Sequence, residues 1–120
     1  MGVKAGAAKS FAFTRRYPRY ALDVRVKARM LQNGTDLNCW GRSTELGRDG
    51  IGATLTGELQ VGDILSLEIP LPLSTRALKV RAIVRFRYGL RYGFEFLAVN
   101  ETQREMIRRT CEYLANGPVT

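Results

Sequence analysis

The sequence predicts an all-β domain with one C-terminal helix, closed as a small antiparallel β-barrel of about six strands, and three observations carry that prediction. Between residues 22 and 97 apolar and polar positions alternate with a period of two. Asn-Gly and Gly-rich turn signals interrupt the alternation at short intervals, as antiparallel neighbours require. After Asn100 the period switches to 3.6 for a single amphipathic segment. Several short strands with one helix are best closed into a barrel, because closure leaves no sheet edge unpaired, and the helix then packs on the barrel or over one mouth.

Each element has its own local cause. Residues 1–13, rich in Gly, Ala and Lys, have no sustained period and are expected to form a mobile arm; the domain is expected over 14–116, with a tail at 117–120. Leu22, Val24, Val26, Ala28 and Met30 share one face against Asp23, Arg25, Lys27 and Arg29, which describes a half-buried strand. "QNGTD" (Gln32 to Asp36) supplies an Asn-Gly turn into a second strand through "LNCWGRSTEL", making a hairpin. "GRDGIG" brings three glycines into six residues, which implies backbone angles closed to ordinary side chains or close approach by a ligand, at Gly50 and Gly52 above all.

Beyond the turn "QVGD", "ILSLEIPL" alternates Leu65, Leu67, Ile69 and Leu71 against Ser66, Glu68 and Pro70, and Pro70 with Pro72 confines its end. "ALKVRAIVRFRY" is expected to turn Leu78, Val80, Ala82, Val84, Phe86 and Tyr88 inward, leaving Lys79, Arg81, Arg85 and Arg87 on a solvated face. "YGLRYGFEF" then returns as a last strand with Leu90, Tyr92, Phe94 and Phe96 inward. Asn100 and Gln103 form a capping-box pattern, followed at helical spacing by Met106, Ile107, Thr110, Cys111, Tyr113 and Leu114 until "NGP".

Composition bounds the function. The chain of 120 residues is 45% hydrophobic, enough for one domain with a real core. Its formal charge is +8, but residues 1–29 hold eight Lys/Arg against the single Asp23, whereas the remainder is nearly balanced. A basic mouth on a near-neutral body points to a localised phosphate-bearing partner rather than to general polyanion binding. No stretch approaches the roughly 18–20 apolar residues that span a bilayer, nor does the N-terminus carry a signal-peptide run, so a soluble cytoplasmic protein without membrane insertion is expected. Cys39 and Cys111 are far apart and the chain has no histidine, so no metal site is expected and the usual general base is missing. An enzyme is the least favoured class, and the two thiols are expected to be packed.

Two features carry the functional expectation. Arg15 and Arg19 stand in RxxxR spacing within "TRRYPRY", and the turn "ELGRDG" (Glu45 to Gly50) joins the second and third strands. With "GIGATL" and "YGLRYGFEF", they make the chain resemble the PilZ domain family from about Arg15 to Leu114. That family is a six-stranded antiparallel β-barrel of the split-barrel type with a C-terminal helix. Its members bind the bacterial second messenger cyclic dimeric guanosine monophosphate (c-di-GMP) through RxxxR and a (D/N)xSxxG motif. Here Glu45 stands where Asp or Asn is usual and Gly47 where Ser is usual, while Gly50 matches.

The resemblance implies a non-catalytic c-di-GMP receptor with no cofactor. Arg15, Arg16 and Arg19 would grip the ligand, and Glu45, Gly47, Arg48 and Gly50 would form the opposing turn. Chemistry supports those residue types: arginine's planar fork pairs bidentately with a phosphate or with guanine O6 and N7, and a carboxylate can accept from guanine N1 and N2. Pro18 limits the loop's freedom and so its entropy loss on binding. Binding would order the Arg15 to Tyr20 loop and change the surface shown to a downstream protein in motility, exopolysaccharide synthesis or adhesion. The alternatives are a degenerate PilZ-like module that binds only protein and a barrel that binds RNA or single-stranded DNA, the latter disfavoured because exposed stacking aromatics are few. Local alternatives are a solvated arm for the arginines, an ion pair of Glu45 with Arg42 or Arg48, plain turn geometry for the glycines and a partly buried strand position for Trp40. Tyr17 and Tyr20 are expected to pack the loop onto the barrel.

Overall fold

Alternation decides which side chains meet inside, and in the computed structural model, which describes residues 16–116, it does so on seven strands and one helix. Arg15, the expected arm and the expected tail lie outside the described residues. The elements are β1 (Tyr20–Ala21), β2 (Arg25–Gln32), β3 (Thr35–Gly47), β4 (Gly50–Leu55), β5 (Ile64–Ile69), β6 (Leu78–Tyr88), β7 (Arg91–Leu97) and α1 (Glu101–Asn116). Strands β3, β2, β5, β6, β7 and β4 pair antiparallel in that order, and β4 pairs back onto β3, so the expected six-stranded barrel closes. The two-residue β1 adds to the end of β3, with Tyr20 opposite Leu46 and Ala21 opposite Glu45.

The barrel interior is the core. Val26, Leu46, Ile51, Leu67, Val84 and Phe94 are among its fully buried side chains, and Ile107, Thr110 and Cys111 of α1 close onto it. Each such aliphatic burial contributes about 1.5–3 kcal/mol before conformational entropy is subtracted. Tyr92 is also fully buried, and its phenol is satisfied: it accepts from Leu59 N at 3.0 Å and donates to Gly57 O at 3.1 Å, which ties the β4–β5 connection to the barrel. The Asn-Gly turn forms as expected, with Asn33 and Gly34 at φ 53° and 79°. The capping box is present in both directions, Gln103 N to Asn100 Oδ1 and Asn100 N to Gln103 Oε1, each at 2.8 Å.

Several expectations need correction. The first strand is split, because regular pairing lapses between Ala21 and Arg25; the register of β3 shifts between Ser43 and Glu45, and Ser43 Oγ there accepts from Val24 N while donating to Leu22 O. Phe86 and Tyr88 point outward, 43% and 81% exposed, because a register shift between Val84 and Phe86 inverts the inside-outside phase of β6. Arg87 takes the inward-leaning position instead, donating to Leu59 O at 2.9 Å with its guanidinium over the Tyr92 ring. Leu90 sits exposed at the hairpin rather than inside, and Tyr113 is on the outer side of the helix.

Candidate functional site

The loop before β1 lies over the β3–β4 turn. Arg19 runs across Gly47, and its side chain is only 8% exposed; a Cβ built on Gly47 would come within 2.8 Å of Arg19 Cδ and 3.1 Å of Pro18 O. Gly47 is not at positive φ, so its value here is the space it leaves for the arginine stem, not backbone freedom. At the far end of that stem Nη2 faces Asp49 Oδ1 at 3.5 Å. The same turn offers Arg48, whose guanidinium stands 5.9 Å from the Tyr17 ring centre, and its backbone is pinned by Phe96 N donating to Asp49 O at 2.9 Å. Segment and turn are therefore already in contact from Tyr17 onward, through Tyr17 with Arg48, Arg19 with Asp49 and the β1–β3 pairing.

Beside Arg19 two glycines sit in the barrel wall beneath their neighbours' side chains. One row of the register crosses four strands as Glu45, Gly52, Gly93 and Phe86. The two central glycines have no side chain, and the space over them is taken by the Glu45 side chain and the Phe86 ring, so both are buried. Both glycines are covered: a Cβ on Gly52 would meet Thr44 Oγ1 at 2.9 Å and Glu45 Cγ at 3.2 Å, and one on Gly93 would strike the Phe86 ring at 2.0 Å. Arg19, Glu45, Gly52, Arg85, Phe86, Gly93 and Phe94 line one small cleft there. Arg85 at its edge is held by Glu95, Nε to Oε1 at 2.5 Å.

The site residues expected from sequence thus divide. Arg19 and Glu45 line the same cleft, and Gly47 supports Arg19 from below. Arg48 belongs to the turn but stacks on Tyr17, Arg16 is exposed on the loop, and Arg15 lies outside the described residues. Gly50 faces the barrel: its Cβ would sit 2.1 Å from Phe94 O, so strand β4 can approach β7 only with glycine here. Neither Gly50 nor Gly52 uses a positive φ; close approach is what both positions require. Arg42, a candidate partner for Glu45, is paired with Asp23 at 2.6 Å.

Sequence reasoning missed Asp49, Arg85 and Phe86. Asp49 stands in "GRDG" at no motif position, and Phe86 reads as inward because nothing in "VRFRY" announces a bulge. Behind the turn, the Cys111 thiol of α1 is pushed up by burial, with Arg48 and Arg19 pulling it down and Asp49 raising it, which brings the helix within electrostatic reach of the loop. No helix among the described residues is long and apolar enough to cross a membrane.

Solved structures share this architecture. The Bacillus subtilis inhibitor of motility, MotI/DgrA, superposes with a TM-score of 0.66 at 19% identity over 89% of this chain; the chain spans about half of that protein, 54%. The PilZ domain of YcgR from Escherichia coli, solved with c-di-GMP, gives 0.62 at 22% identity, covering 85% of this chain and 92% of that one. The PilZ domain of CeSA from a cellulose-synthesising bacterium gives 0.60 at 16% identity over 77% and 92% of the two chains. At these identities the likeness shows the fold, and no curated protein matches the sequence. The family itself follows from the sequence profile: the PilZ domain model matches residues 13–113, from the arginine loop through the barrel into α1, and the chain belongs to the PilZ domain family.

Proposed function

We propose that this chain is a non-catalytic receptor for c-di-GMP, acting inside a bacterial cell on a partner protein in motility, exopolysaccharide synthesis or adhesion. The observation that carries the reading is that Arg19 and Glu45 line one cleft together with Phe86, whose ring lies over Gly93. An arginine fork suits a phosphate or a guanine Hoogsteen edge, the Glu45 carboxylate suits the N1 and N2 donors of guanine, and a half-exposed aromatic ring suits the base face. Support also comes from the YcgR PilZ domain, whose structure was solved with c-di-GMP.

The switch in this reading is an exchange of partners as well as an ordering of the loop. In the free protein Arg19 is parked over Gly47 and faces Asp49; the ligand phosphates take the place of Asp49, and the loop re-forms around the dinucleotide with Arg15 and Arg16. A module that binds only protein is the second reading, and the same parked Arg19 favours it. Calorimetric titration of c-di-GMP into wild type and an Arg15→Ala, Arg19→Ala double variant separates them. Saturable binding by wild type that the double variant loses is expected; equal binding by both, or none by wild type at high micromolar ligand, rejects the receptor.

A further inference from the structure

The barrel carries a second charged feature away from the Arg19 cleft. That cleft is lined from β3, β4, β7 and the later half of β6, and it shares none of its lining residues with this second feature. The outer face of β2, β5 and β6 forms a groove of about 740 Å³, walled on one side by Asn100 and Gln103 at the start of α1. Gln103 is fixed there, its Nε2 donating to Lys79 O at 2.6 Å.

The register dictates what the groove displays. Arg29, Ser66 and Arg81 stand side by side on the three strands, and in the next outward row stand Lys27, Glu68 and Lys79. Four cations therefore face two carboxylates, Glu68 and Asp36. Both carboxylates are exposed and already engaged, Glu68 with Lys79 at 3.7 Å and Asp36 with Arg29 at 2.9 Å, and such pairs are worth at most about 1 kcal/mol, so an incoming anion displaces them easily. Arg81 is exposed and has no ion pair among the described residues.

Adjacent strands lie about 4.8 Å apart, so the backbones of Arg29 and Arg81 are roughly 10 Å from each other across Ser66. Two arginine side chains leaning inward close that gap on a single carboxylate, with the Ser66 hydroxyl as a donor between them. Aliphatic surface flanks the seat: Leu97 lies opposite Arg81 in the register, and Leu31, 71% exposed, lines the groove.

We propose that this groove docks an acidic segment of a partner protein, one that carries carboxylates beside aliphatic residues. Charge complementarity selects the anion, and the leucines select against a uniform polyanion. A nucleic acid fits less well, because Glu68 and Asp36 interrupt the cationic surface and the neighbouring aromatic, Trp40, has Lys27 Nζ over its ring at 4.9 Å.

Trp40 is also the reporter: it is the single tryptophan of the chain, half-exposed, and paired in the register with Lys27. The probe is a synthetic decapeptide of glutamates around two central leucines, followed by Trp40 fluorescence against wild type, Arg81→Glu, Arg29→Gln and Arg91→Glu. Arg91 is an exposed arginine of β7, outside the groove, and matches the charge change. Saturable binding that falls at least tenfold in Arg81→Glu, severalfold in Arg29→Gln and less than twofold in Arg91→Glu is the expected result. Equal losses in Arg81→Glu and Arg91→Glu, or no binding, overturn it. So does tighter binding of a decathymidylate or of phosphatidylglycerol vesicles that Arg81→Glu abolishes, or self-association in sedimentation that the same variant removes.

Discussion

Gly47→Ser restores the hydroxyl usual in the family motif, and the structure says what it must displace. The backbone at 47 accepts an L residue, but the new Cβ lies 2.8 Å from Arg19 Cδ and 3.0 Å from its Nε, several tenths of an ångström inside ordinary contact. Those atoms belong to a flexible side chain, so Arg19 moves and its 3.5 Å pairing with Asp49 is lost. The Arg19 and Asp49 side chains are 8% and 22% exposed, which sets the cost between that of a surface pair and a buried one, about 1–2 kcal/mol, or a melting temperature lower by about 5 °C. If ligand binding also requires Arg19 to leave that seat, the free protein has made the move in advance, and the serine donor adds about 0.5–1.5 kcal/mol in the complex. Together these tighten c-di-GMP binding about tenfold or more. Thermal melts with calorimetric titration of wild type, Gly47→Ala and Gly47→Ser separate the two contributions: both variants should melt lower and bind more tightly, serine more so than alanine. If alanine and serine both weaken binding, the seat over Gly47 is the binding conformation of Arg19 and the exchange is wrong.

Asp49→Asn keeps the shape of the turn and removes the competing charge, so calorimetry should find c-di-GMP bound about threefold more tightly, and unchanged or weaker binding would contradict a parking role. Ser43→Ala leaves the Val24 N–H and the Leu22 carbonyl without their side-chain partner at a buried position; a loss of about 1–3 kcal/mol in urea denaturation is expected. Burial raises the thiols of Cys39 and Cys111, so the folded protein holds those protons more tightly than the unfolded chain. That stability is intact below the unfolded thiol value of about 8.5 and falls as pH rises above it. The urea midpoint should therefore drop on the alkaline side in wild type and drop less steeply in a Cys39→Ala, Cys111→Ala variant.

Most of the barrel was legible because period-two alternation and turn chemistry are local properties of the chain. The hairpin at Asn33–Gly34 and the Asn100–Gln103 cap need no distant contact to be recognised, and both formed as expected. The bulges were not legible: the extra residue near Arg85 depends on how β6 meets β7 across the sheet, and that one shift moved Phe86 from the core to the rim of the cleft. For the site, Arg19 and Glu45 could be singled out from their spacing and family position. The role of Gly47 as room for an arginine stem, and the presence of Asp49 at its tip, depend on a loop folding back over a turn some thirty residues later in the chain.

Closure of β4 onto β3 has a consequence for how information can leave this molecule. In an open sheet one edge strand can slide or peel without disturbing the others; in a hoop of paired strands a change of register at one seam must be matched all the way round. The barrel therefore behaves as a stiff washer. A message written at the arginine loop is read where the hoop does not dictate geometry, on the loop itself and on the helix that leans against β1, β3 and β6, whose first turn also walls the groove.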